Sequence, residues 1–243
     1  MQVGFMDRIK VFITAMLLCS LTAGAQQDSV QVVKEKAKPI FGITLVNQYI
    51  WRGLDEGNVC VQPTIGVSYK GLCFSAWGSV GFQRDDLKEF DLLLSYATHG
   101  FNVGITDYWF GLGRYFLYTN NETTHVFEAN VGYDFFGYVS LQWYTNFAGN
   151  DGKNNGGHRA YSSYFELLAP FHVLTLDWKA AVGFVPYATS FYNTSGFAVT
   201  NVSLTATKDF LICKKYHLPV FIGLTVNPDA SKVYLICGAG FNL

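Results

Sequence analysis

Val59-Cys60-Val61-Gln62-Pro63-Thr64-Ile65-Gly66-Val67-Ser68-Tyr69 alternates without a break. Val59, Val61, Pro63, Ile65, Val67 and Tyr69 form one apolar face, while Cys60, Gln62, Thr64, Gly66 and Ser68 form a small, polar one. Successive side chains of an extended strand point to opposite faces. This stretch therefore predicts a strand with hydrocarbon on one side and a wet lumen on the other, as in transmembrane β-barrels. A secreted β-sandwich also alternates, but its outward face would be rich in Lys, Glu and Thr.

The same two-residue rhythm extends in both directions. It predicts an all-β, antiparallel transmembrane barrel of about 12 strands, at 40–52, 58–69, 72–83, 88–98, 101–110, 124–134, 138–147, 159–169, 172–184, 197–208, 216–227 and 231–243. An even count returns the chain to the side on which it began. Tight turns are expected at Lys70-Gly71, His99-Gly100, Phe136-Gly137 and Pro170-Phe171. Longer polar stretches at Leu54–Asn58, Gln83–Lys88, Gly111–Thr123, Ala148–His158 and Pro186–Gly196 fall between them, which matches short periplasmic turns and longer outer loops. Two connections break the pattern: Phe210–Tyr216 is long for a periplasmic turn and Asn227–Ser231 is short for an outer loop. The final segment stays apolar on one face up to Leu243, the kind of C-terminal strand that barrel-assembly machinery reads.

Composition points the same way. Aromatic residues make up 17% of the chain and charged residues 14%, against roughly a quarter charged in soluble domains. The net charge of −1 argues against a nucleic-acid partner. Near the start, Asp7-Arg8-Ile9-Lys10, the apolar run Val11–Leu18 and Ala23-Gly24-Ala25 make the three-part pattern of a cleaved secretory signal. The expected organisation is a signal peptide over 1–25, a flexible periplasmic lead-in over 26–38 and the barrel over 39–243. The expected location is the cell outer membrane, with its lipid bilayer as the main partner. Cys60, Cys73, Cys213 and Cys237 read as small barrel residues rather than a disulfide framework, with pairing left open, because Cys73 would lie opposite Ser68 and far from Cys60.

Charged residues show which face is internal, since Arg or Lys facing lipid at the midplane costs roughly 2 to 4 kcal/mol. Glu89 and Asp91 share a parity opposite Phe90 and Leu92; Glu128 lies with Asn130, Glu166 with Tyr164, and Asp177 with Thr175 and Lys179. Arg52 alternates with Gln48 and Ile50 at the outer end of the first segment, and Trp77 shares the inward face with Ser75 and Ser79. Arg52, Trp77, Glu89, Asp91, Glu128, Glu166, Asp177 and Lys179 are thus the candidate lumen and constriction residues. An Arg confined among carboxylates should form bidentate pairs. Such a set reads as an internal salt-bridge network, a cation-preferring constriction, or both. Tyr49, Trp51, Trp109, Tyr133, Trp143 and Trp178 are expected outside, as lipid-facing or girdle residues.

Catalysis and metal binding find little support. His158 has Ser162, Ser163 and Asp151 nearby, but no nucleophile motif accompanies them. In Asn150–Gly157, Lys153 stands where a calcium loop needs Asp or Asn, and the closing Glu is missing. No catalytic residue, metal ligand or cofactor is assigned.

Tyr49-Ile50-Trp51-Arg52-Gly53-Leu54, followed by Gln62-Pro63, Ala76-Trp77-Gly78-Ser79 and Glu89-Phe90-Asp91, resembles the TorF-like porins, a family of uncharacterised Gram-negative outer-membrane proteins, in its Bacteroidetes type. The likeness is densest over about residues 43–110. It implies a small barrel with a transport role and makes Arg52, Trp77, Glu89 and Asp91 the family-like positions. The expectation is a narrow, non-enzymatic channel for ions or small polar solutes. The alternatives are a plugged structural or adhesive barrel presenting its outer loops, and an outer-membrane hydrolase using His158.

Overall fold

The computed structural model describes residues 36–119, 122–212 and 216–242. The expected signal peptide, most of the expected lead-in, Cys213 and Leu243 lie outside the described residues. Fourteen strands follow in chain order: β1 (Lys38–Val46), β2 (Tyr49–Trp51), β3 (Leu54–Gly57), β4 (Cys60–Tyr69), β5 (Leu72–Gly81), β6 (Lys88–Thr98), β7 (Phe101–Trp109), β8 (Val126–Phe135), β9 (Val139–Gly149), β10 (Ser163–Val173), β11 (Leu176–Val185), β12 (Ala198–Ile212), β13 (Tyr216–Asn227) and β14 (Lys232–Asn242). Twelve of them form a closed antiparallel barrel in which β1 pairs with both β4 and β14; β2 and β3 form a separate two-stranded sheet. Closure pairs every wall strand on both sides and removes the exposed edges that an apolar environment would not tolerate.

The alternation read in the sequence is the inside–outside alternation of the wall. On β4, Ile65, Val67 and Tyr69 are exposed outside while Cys60 is buried. Large apolar side chains such as Ile43, Phe74, Leu94, Ile105, Leu141 and Leu224 cover the exterior. An exposed apolar surface that encircles the molecule suits hydrocarbon rather than water. Inside, Glu89, Asp91, Glu128, Gln142 and Asn146 are buried.

At the end where β1 starts and β14 finishes, Lys70-Gly71 and His99-Gly100 make two-residue turns with φ positive at both positions. That geometry matches the twist of the flanking strands. Two predicted connections differ. The turn expected at Pro170-Phe171 lies at Leu174-Thr175, because β10 runs through the proline to Val173 and pairs with β11 throughout. Pairing of β10 with β9 covers Ser163–Leu168, so Pro170 sits where its missing N–H costs no ladder bond. The long turn expected over Phe210–Tyr216 is also shorter, because strand pairing continues to Ile212↔Tyr216; residues 213–215 lie outside the described residues. The strand order confirms that no pair slips there. Ser68 does face Cys73, as expected; Cys60 and Cys237 are free thiols.

The main correction concerns the first segment. It does not run straight to residue 52, because β1 ends at Val46 and the chain then leaves the wall as the β2–β3 hairpin. Once the strand leaves the wall, counting by twos no longer predicts sides. Tyr49 and Trp51, expected to face lipid, are instead 6% and 4% exposed in an aromatic cluster with Tyr108, Val126, Tyr164, Val185 and Tyr192. Trp109, Tyr133, Trp143 and Trp178 do share the outward parity of their strands.

Candidate functional site

The hairpin turns at Arg52-Gly53, where Trp51 pairs with Leu54 and φ is 53° and 82° at the two turn residues. Such a turn needs two left-handed residues. Glycine adopts this freely, but an arginine there costs about 1–2 kcal/mol. Gly53 is further required because a Cβ would run into the Thr200 carbonyl. Asn227 Nδ2 donates to the Gly53 carbonyl at 3.0 Å, so the turn is held by the ends of β12 and β13. At its base, Gln48 Nε2 donates to Asp55 Oδ2 at 3.0 Å.

From that turn the Arg52 side chain crosses to β8. Its Nη1 lies 2.6 Å from Glu128 Oε2 and its Nη2 lies 2.9 Å from Oε1, a two-point pair with both side chains buried. In the wall, β1 and β8 are separated by four strands on one side and six on the other. The pair therefore bridges nearly opposite sides of the lumen. Tyr108 Oη donates to Glu128 Oε1 at 2.9 Å, and Arg52 Nη1 also donates to Tyr192 Oη. The guanidinium sits over Tyr144 at 4.0 Å, Trp51 at 4.3 Å and Tyr164 at 4.8 Å from the ring centroids. A planar, weakly hydrated guanidinium suits this dry site better than an ammonium would. Burial pushes the Tyr192 phenol well above its ordinary range, with Arg52 opposing, so it stays protonated.

The sequence-predicted residues fall into three groups. Arg52 and Glu128 meet directly. Glu166 joins them through Tyr164, whose hydroxyl donates to Glu166 Oε1 at 2.9 Å, with Asn201 Nδ2 reaching both. Trp77, Glu89 and Asp91 form a second patch on adjacent β5 and β6, where Asp91 pairs with Trp77 and Glu89 with Ser79. Tyr49 packs on Trp77 at 5.6 Å. Glu89 Oε2 and Asp91 Oδ1 are buried with no hydrogen-bond partner among the described residues. Asp177 and Lys179 stand apart near the terminal end: Asp177 contacts His172 at 2.8 Å, both half-exposed, and Lys179 is exposed.

Sequence parity placed Arg52 inward for the wrong reason and missed Tyr49, Trp51 and Tyr192. A usable signal was present. Arg52-Gly53 has the same X-Gly form as the wall turns Lys70-Gly71 and His99-Gly100, and could have marked a hairpin inside the first segment. The residues suggested for hydrolysis do not converge. Ser162 Oγ engages Thr189 Oγ1 at 2.5 Å, Asp151 accepts from Asn146 and the Ser162 amide, and His158 is exposed.

No protein-family model matches the chain, and comparison with curated proteins gives no match. The fold is similar to a solved structure of the NanC porin, with a TM-score of 0.50 and 6% identity over 83% of this chain and 98% of that one. At this identity the likeness speaks for the shared barrel architecture alone.

Proposed function

We propose that this chain is an outer-membrane barrel, exported by a cleaved signal peptide, that forms a narrow channel for ions or small polar solutes. The β2–β3 hairpin is its constriction, and the observation that carries this reading is the Arg52–Glu128 clamp across the lumen. The apolar exterior and the fold shared with a protein named as a porin support the membrane setting. Arg52 and Glu128 pair with each other, and the carboxyl groups of Glu56, Glu89, Asp91 and Glu166 outnumber the remaining inward basic groups, an arrangement that favours cations. The resemblance to TorF-like porins supports the same role.

Purified protein in a planar bilayer is expected to show small, discrete, cation-preferring conductance. A membrane that stays silent, both with the full chain and with the hairpin 49–57 replaced by a short glycine linker, would overturn the channel. That outcome would favour a plugged structural barrel, a reading supported by the buried rings of Tyr164 and Tyr192 inside the lumen.

A further inference from the structure

The connection between β7 and β8 bends to the outside of the barrel. Asp107 has the outward parity of Ile105, and it pairs across the wall with Phe127 and Leu92. His125 precedes the inward Val126 and shares that outer side, yet it is 0% exposed. Its Nδ1 lies 2.6 Å from Asp107 Oδ1, and its Nε2 lies 2.6 Å from the Tyr115 carbonyl. Both ring nitrogens thus have a polar partner within hydrogen-bond distance. Tyr118 Oη donates to Asp107 Oδ2 at 3.1 Å, and its ring lies 4.3 Å from that of His125.

These contacts fold residues 110–119 back over the wall. Tyr115 packs edge-on against the outward Phe90 and Trp109, at 5.5 and 5.4 Å. The Leu112 carbonyl accepts from Trp109 Nε1 at 3.1 Å and from Thr124 Oγ1 at 2.5 Å. The Leu112 and Tyr115 carbonyls and the Asp107–His125 contact are thus satisfied internally, and the segment presents large apolar side chains outward: Phe116 is 89% exposed, Leu112 61% and Tyr118 47%.

We propose that residues 110–119 form an arm docked in the headgroup boundary of the outer leaflet, with Phe116 and Leu112 inserted beside the barrel. This rests on the outer-membrane reading above. The occupant is lipid because the arm continues the exposed apolar wall formed by Phe90 and Leu94. Its tyrosines and Trp109 combine an apolar ring with a polar tip, the chemistry of the membrane–water interface. Exposed Arg114 reaches headgroups from the same segment. The arm also shields the polar Asp107–His125 contact, which would be costly against bare hydrocarbon.

The test uses the full chain with its own cysteines replaced by serine. Phe116→Cys, Asn155→Cys and Leu94→Cys are each labelled with a nitrobenzoxadiazole fluorophore and placed in phosphatidylcholine vesicles. The label at position 116 is expected to be quenched by nitroxides near the headgroup and to be several-fold less accessible to iodide than the label at 155. The label at 94 should respond to deep nitroxides. Adding His125→Ala is expected to bring iodide access at 116 up toward that at 155 and leave 94 unchanged. Equal iodide access at 116 and 155 with 94 still in hydrocarbon overturns the arm alone. So does protection at 116 that vanishes on diluting protein in lipid, which would mean a second copy covers it. Iodide access at 94 overturns the membrane reading itself.

Discussion

Arg52, on an inward hairpin following β1, and Glu128, on β8, meet in a two-point ion pair at 2.6 and 2.9 Å across the barrel. Two facts make this pair informative. The arginine adopts φ 53°, a conformation other residues fill more easily. Its partner is 2% exposed, with Tyr108 as its other hydrogen-bond donor.

Removing one partner leaves the other buried and uncompensated, at a cost of about 3–5 kcal/mol. Arg52→Met and Glu128→Leu are each expected to release the hairpin, while the double variant loses less than either single change. Hydrogen exchange at the amides of 49–57 checks this. Equal protection in all four proteins would show that the pair does not hold the hairpin.

Gly53 is expected to tolerate no side chain. Gly53→Ala meets both the Thr200 carbonyl and a φ of 82°, so the hairpin cannot dock as it does here. Asn227→Ala is milder: it leaves the buried Gly53 carbonyl without its donor, costing about 1–3 kcal/mol of docking. In single-channel recordings the first should give a raised, steady conductance and the second intermittent openings. Thermal unfolding of the wall should change little in either.

Glu56 gives docking a pH dependence. Burial first, then neighbouring Asp55, raises its pKa from 4.5 when the hairpin is docked. A raised carboxyl pKa means the docked form holds the proton to higher pH. Its contribution is therefore intact at low pH and is lost as pH rises through the docked value. Opening events should become more frequent as pH rises above the carboxyl's ordinary 4.5 and through the raised docked value. Other carboxylates titrate too, so the diagnostic measurement is the difference between the native chain and Glu56→Gln, whose opening should depend less on pH. Identical profiles would exclude Glu56.

Selectivity should lie with the second acidic patch. Glu89→Gln combined with Asp91→Asn is expected to lower the cation-to-anion permeability ratio without changing the barrel. Reversal potentials in a salt gradient measure it. An unchanged ratio would move selectivity to Glu166 or Glu56.

Much of this molecule was legible from periodicity alone. Val59–Tyr69 determined a strand with one lipid face, and the repeats beyond it determined an all-β barrel with twelve wall strands, because a side-chain period of two leaves only two faces to assign. The inward parity of Glu89, Asp91, Glu128 and Glu166 followed from the same rule. Which of these carboxylates meets Arg52 did not. That depends on the chain leaving the wall after Val46, and a local alternation pattern reads the same whether a segment lines the wall or folds through the lumen. Only the closed barrel, by bringing β8, β12 and β13 to the tip of one hairpin, decided that Tyr49 and Trp51 face inward and that Glu128 is the partner. Contacts across the lumen join residues far apart in sequence, and no periodicity encodes them.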